Sequence, residues 1–135
     1  MIPKFRAWMK SLKWMCDVTN ISFDSKLVDI CQQGDTERCT EISVEFDEIK
    51  LMQSTGLKDD LEKEIFEGDV ILWTYWDEFE DSGRAKIIFD KGMFKLLDIH
   101  TEKEVWDSLS DCIENCNVFL QGNIYENPEL LEENE

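Results

Sequence analysis

The sequence predicts an α+β, strand-rich fold: antiparallel strands at the amino terminus, a small SH3-like barrel after them, and one helix near the carboxyl terminus. Three observations predict it. Strand-length segments alternate apolar and polar residues with only short turn signals between them. A run Val70–Ile71–Leu72–Trp73 follows a Gly68–Asp69 turn signal and is succeeded by a glycine-turned hairpin. A single stretch, 101–116, carries helical spacing.

In order along the chain, KFRAWM places Phe5 and Ala7 in alternation with Arg6 and Trp8. KWMCDVTNISFD and KLVDICQQ follow at strand length, with Ser25–Lys26 and Gln33–Gly34–Asp35 as turns. In EISVEFDEIKLMQ, Ile42, Val44 and Phe46 share one face and Glu41, Ser43, Glu45 and Asp47 the other, which predicts one half-buried strand. Sequential strands with short turns favour antiparallel pairing. The charged passage LKDDLEKE (57–64) then leads to EIFEGDVILWTYW, where Gly68 can supply a turn conformation costly for a residue with a Cβ. Ala85, Ile87 and Phe89 alternate with Arg84, Lys86 and Ile88, and Asp90–Lys91–Gly92 reads as a hairpin loop returning into MFKLLDI. Such strands curled together would form the small barrel, which leaves few free edges.

For TEKEVWDSLSDCIENC (101–116), Val105, Leu109, Cys112, Ile113 and Cys116 fall on one helical face. Thr101 and Glu104 fit a capping box, and Asn117 is the expected carboxyl-terminal cap before a last strand, VFLQGNIYE. The expected organisation is an antiparallel module over 1–54, the barrel with its helix over 55–126, and an acidic tail over 127–135.

Composition bounds the function. The 135 residues are 42% hydrophobic and 11% aromatic, as in a folded chain, and no run approaches the roughly 20 apolar residues of a membrane span. The amino terminus lacks a continuous apolar h-region, so the cytoplasm is the expected location and no membrane partner is expected. Fourteen basic side chains stand against 31 acidic ones, a net charge of −17. Residues 1–33 hold five basic and three acidic side chains, +2, so the remainder carries −19. Such a surface repels phosphate backbones and anionic lipid and admits a basic protein partner.

The segment WTYWDEFED (73–81) interleaves aromatic rings with carboxylates. As a strand running into a connection, it places Trp73 and Tyr75 on one face and Thr74 and Trp76 on the other. The structural reading puts one aromatic pair in the core and leaves the acidic stretch solvated. The functional reading is a protein-interaction rim of Trp76, Phe79, Asp77, Glu78, Glu80 and Asp81, since aromatic anchors are enriched in interface hot spots.

No dinucleotide, phosphate-loop, zinc-protease or nucleophile-elbow motif is present, and His100 is the single histidine, so no catalytic residue is predicted and the chain reads as a non-enzyme. The five cysteines, Cys16, Cys31, Cys39, Cys112 and Cys116, are expected as free thiols packed as small apolar groups. A zinc site would require Cys112, Cys116, His100 and a fourth ligand; the spacing permits this without being specific for it, and neither metal nor cofactor is predicted.

Three blocks resemble the YopX family of phage and prophage proteins: IPKFRAW (2–8), LMQSTGLKDDLEKEIFEGDVI (51–71) and GNIYENPELLE (122–132). Their order and separation agree with the family, and together they span nearly the whole chain. The sequence departs from the family at MKSLKWM (9–15) and in the acidic connection 77–82. The resemblance implies a strand-rich α+β protein that assembles into oligomers, and it carries no activity onto residues here. Glu67–Gly68–Asp69 and Asn127–Pro128–Glu129 are expected to be structural, the latter turning Leu130 and Leu131 back onto the body or a neighbouring subunit. The leading expectation is a non-enzymatic accessory protein that works through protein contacts, with itself first. One alternative is an acidic inhibitor of a host DNA-handling protein. Another is a small-barrel nucleic-acid module using Arg84, Lys86, Lys91 and Lys95.

Overall fold

Strands β1 (Phe5–Met9), β2 (Trp14–Ser22) and β3 (Leu27–Gln32) pair antiparallel through short reversals, with Met9 opposite Trp14 and Ser22 opposite Leu27. Lys13 and Lys26 close these reversals with φ of 56° and 58°. The structure is a computed structural model and describes residues 4–32, 41–75 and 82–131. The expected turn at 33–35 lies outside the described residues.

Two compact units divide the chain, Met1–Ser54 and Thr55–Glu135. In the first, β4 (Ile42–Glu45) lies on β3, and β5 (Ile49–Lys58) lies on β1. Ala7, Cys16, Val28, Ile30, Val44 and Ile49 form its core, flanked by Trp14, Phe46 and Leu51. The segment expected as one strand is broken after Glu45 by a 3₁₀ turn, Phe46–Glu48. The Glu45 amide donates to Glu48 Oε2 at 2.8 Å while the Glu45 side chain accepts in return, and the Phe46 amide donates to the Lys26 carbonyl at 3.1 Å. These local bonds replace the ladder, and both Val44 and Ile49 still reach the core.

β5 continues past Ser54, where the Thr55 hydroxyl donates to the Ile65 carbonyl at 2.7 Å. The sheet order is β4-β3-β2-β1-β5-β6, with β6 at Glu64–Phe66. In the second unit, β7 (Asp69–Tyr75), β8 (Ser82–Asp90), β9 (Met93–Asp98), β10 (Glu104–Val105) and β11 (Cys116–Asn123) form a five-stranded antiparallel sheet. Its order is β10-β9-β8-β7-β11. The expected SH3-like barrel is therefore corrected: both sheets are open, ending on β4 and β6 in one and on β10 and β11 in the other. The physical reason is the helix α1 (Leu109–Asn115), whose Leu109 and Cys112 cover Ile71, Ala85, Ile87, Leu96 and Val118. The apolar face that closure would have hidden is covered by a helix.

That helix is shorter than 101–116. Asp98 Oδ1 accepts from the amides of His100 and Thr101, at 2.8 and 3.0 Å, which turns the chain just after β9. Glu102 and Trp106 then take φ of 58° and 63°, which a right-handed helix does not allow, and Glu104–Val105 pairs with β9. The cap is Ser108, whose hydroxyl accepts from the Asp111 amide at 3.2 Å, in place of Thr101. Asn117 is no cap; it lies within β11 opposite Thr74. The Lys91–Gly92 hairpin forms as expected, with both residues at positive φ and Asp90 opposite Met93. A 3₁₀ turn, Pro128–Leu131, ends the described chain.

Candidate interaction surface

The predicted rim, Trp76, Asp77, Glu78, Phe79, Glu80 and Asp81, lies outside the described residues. Of its neighbours, Trp73 packs against the second core and meets Trp106 edge to face, ring centroids 5.6 Å apart. At its Ser82 end, β8 joins Leu72, Gly83, Arg84, Asp98, Ile99 and His100 around an open cleft of about 400 Å³.

Two of the four cations of the hairpin, Lys86 and Lys95, stand beside carboxylates. Lys86 Nζ lies 4.0 Å from Glu102, and Lys95 Nζ lies 3.2 Å from Glu104 and 3.6 Å from Asp90. The Glu104 hydrogen bond, with the nearby Asp90 charge, holds the Lys95 ammonium above its ordinary range against some desolvation.

Among the described residues no group of three His, Cys, Asp or Glu side chains is placed to hold a metal ion. His100 is exposed in the turn after β9, while Cys112 and Cys116 are fully buried at the helix and its exit. Burial pushes the Cys112 thiol well up, with the neighbouring Cys116 adding to it; burial also raises Cys116, against a hydrogen bond from Cys112. Both side chains belong to the buried core cluster of the second unit, beside Leu109 and Val118. Cys16 is free and buried as well, but Cys31 is disulfide-bonded, which corrects the expectation of free thiols throughout.

The motif blocks resolve into structural devices. Asp59, 4% exposed, accepts from the amides of Leu61 and Lys63 through Oδ1 and of Leu120 through Oδ2, at 2.8 to 3.0 Å. Asp69 accepts from the Phe66 amide at 2.7 Å, and Gly68 takes φ of 90° between them. Asn123 Oδ1 accepts from Tyr125 and Glu126, and Asn127 Oδ1 accepts from the Asn123 amide. At Gly122, φ is 151°, and a Cβ would run into the Asn127 side-chain oxygen and come within 3.1 Å of Leu130. The chain after Pro128 does turn back on β11 at this point.

A feature the sequence reading passed over lies in the first unit. Phe23, in the β2–β3 reversal, is 74% exposed and meets Phe46 edge to face, ring centroids 6.0 Å apart. Beside them Ser25, Lys26, Glu45, Phe46 and Asp47 line an open cleft of about 430 Å³. The available signal was an apolar ring at a turn position, where polar residues are the norm. It was obscured because Phe46 fitted the two-residue alternation of its segment.

Two open antiparallel sheets in two compact units, the second sheet covered by one short helix, define a strand-rich α+β protein whose motif blocks serve the backbone. The YopX family model, described as YopX protein, matches residues 4–132, and the chain belongs to that family. Protein EF1440 from Enterococcus faecalis, known from a crystal structure, is similar at 30% identity and a TM-score of 0.67, over 98% of this chain and 99% of that one. The crystal structure of yopX from Bacillus subtilis shares the fold at 19% identity and a TM-score of 0.60, covering 96% of this chain and 98% of that one. A search of curated proteins gives no match.

Proposed function

We propose that this YopX-family protein is a non-enzymatic phage or prophage accessory factor that works in the host cytoplasm through protein contacts, foremost with copies of itself. One observation carries the reading: the two units differ sharply in charge. Residues 1–54 hold seven basic against nine acidic side chains, and residues 55–135 hold seven against 22. A nearly neutral unit on one copy can approach the strongly acidic unit of another, whereas two acidic units repel. Contacts of this unlike-to-unlike kind generate rings or open chains. No helix of the described residues is long and apolar enough to cross a membrane. Sedimentation velocity over a range of protein concentrations, at about 50 mM and about 0.5 M salt, tests the reading. Self-association supports it, and it should hold or strengthen as salt screens the repulsion between two net-negative units; one monomeric species under every condition ends it.

A second reading, an acidic inhibitor that competes with DNA for a host protein, is favoured by the second unit. Asp60, Glu62, Glu102, Glu104, Asp107 and Glu114 are all exposed there. It predicts that the chain displaces DNA from a DNA-handling protein without itself shifting DNA in a low-salt gel.

A further inference from the structure

We propose that the cleft beside Phe23 and Phe46 is a docking site for an arginine-bearing segment of a partner protein, with the arginine next to an apolar residue. The inference rests on the protein-contact reading above and adds a surface and a chemistry to it.

Isolated exposed apolar side chains are ordinary, but Phe23 is not isolated. Its ring stands three-quarters in water and meets, edge to face, half-buried Phe46, which lines a cleft of about 430 Å³. The hydrogen bond from the Phe46 amide to the Lys26 carbonyl ties the β2–β3 reversal to the 3₁₀ turn, so both rings belong to one anchored surface. The charge beside them is negative: Asp24, Glu45, Asp47 and Glu48 stand in these two turns against Lys26 alone. Lys10 approaches, but its ammonium donates to the Asp47 backbone carbonyl, at 3.2 Å, and not to a carboxylate.

Two of those carboxylates are held in place. Glu48 accepts from the Glu45 amide and Glu45 accepts from the Glu48 backbone, so the reciprocal cap fixes both side chains before any partner arrives. Each retains lone pairs for a further donor. Carboxylates beside an aromatic ring suit a guanidinium: Glu45 and Asp47 of the cleft lining take its N–H groups, the Phe46 ring takes its flat face, and its methylene stem covers apolar surface. Phe23 then meets the arginine's apolar neighbour. A phosphate or an anionic membrane would meet net negative charge here, so nucleic acid and lipid are disfavoured occupants.

The test is a ¹H–¹⁵N NMR titration of the full chain with acetyl-Arg-Leu-Arg-amide, and with the same peptide carrying citrulline for arginine. The expected result is saturable shifts at Ser25, Lys26, Phe46 and Asp47 with the arginine peptide only. Affinity should fall at least about fivefold in Phe23→Ala and in Asp47→Asn, and should hold in Phe89→Ala, an exposed ring of the second unit. Unchanged amide positions for Val28 and Ile30 establish that the variants are folded. Shifts spread over carboxylates along the whole chain without saturation overturn the proposal, as does equal binding of the citrulline peptide. Sedimentation of the same samples separates the two levels: continued self-association with a silent cleft sinks the site and leaves the protein-contact reading standing. Loss of self-association in Phe23→Ala, with no peptide shifts, places a second copy in the cleft and overturns the assignment to another protein.

Discussion

The two units solve the problem of backbone satisfaction differently. In the first, successive strands reverse within a few residues, and Lys13 and Lys26 take left-handed conformations that let the chain turn in solvent. In the second, three reversals fall against the core, around residues 59–63, 66–69 and 123–127, and each is held by a buried side chain: Asp59, Asp69 or Asn123. Amides drawn inside must find an acceptor, and a short polar side chain supplies one where no strand can. A hairpin sheet manages with turns; a sheet with a helix and irregular connections needs internal polar anchors.

The sharpest way to break that comparison is Asp59→Ala, which removes the acceptor of three amides. A loss of about 3 kcal/mol is expected in urea unfolding, since bonds to a charged acceptor are individually strong. Hydrogen exchange should accelerate through residues 55–131 and leave β1–β3 protected. Equal acceleration in both units would show that the two cores open as one.

Gly122→Ala comes next, at about 2 kcal/mol, because a methyl group there meets the Asn127 oxygen and Leu130. The double variant with Asn127→Ala should cost less than the two single losses together, since removing the oxygen relieves the clash while giving up its bond to the Asn123 amide. Simple additivity would mean that backbone conformation at φ 151°, not contact, sets the cost. A smaller effect, about 1 kcal/mol, is expected for Ser108→Ala, with Thr101→Ala close to neutral. The reverse order would restore the longer helix.

These positions also show what the sequence could and could not reveal. The Lys91–Gly92 hairpin and the Gly68 turn were legible because a positive φ next to a strand is local chemistry. The helix was half legible: Leu109, Cys112 and Cys116 do face a core, but Val105 kept the same spacing while belonging to a strand. Nothing local announced that Glu102 and Trp106 would take left-handed conformations. Barrel closure failed for a deeper reason. It depends on whether β10 and β11, far from each other in the sheet order, meet, and a turn signal carries no information on that. The Cys31 disulfide was hidden by an odd cysteine count and an expected reducing compartment. The Phe23–Phe46 cleft joins residues 23 apart in sequence, and periodicity within either segment does not reveal the pairing.

The smallest predicted effect is a pH slope, and it tests whether the buried thiols of the second unit are packing alone. Burial raises Cys112 and Cys116 above the ordinary thiol value of 9.0, so the native state keeps protons that the unfolded chain gives up. Stability from this source is complete below the unfolded value and falls as pH rises past it toward the folded values. Between pH 8 and pH 9 the decline should be about half a kcal/mol, measured by urea unfolding at each pH. Cys16 in the first unit adds the same sign, through burial and then the Asp17 charge. Cys112→Ala with Cys116→Ala lowers stability at every pH by opening space in the core, but its slope should be flatter than that of the natural chain. If the slope is unchanged, other groups govern this window; if it steepens, one of the two thiols ionises in the folded protein and does more than fill the core.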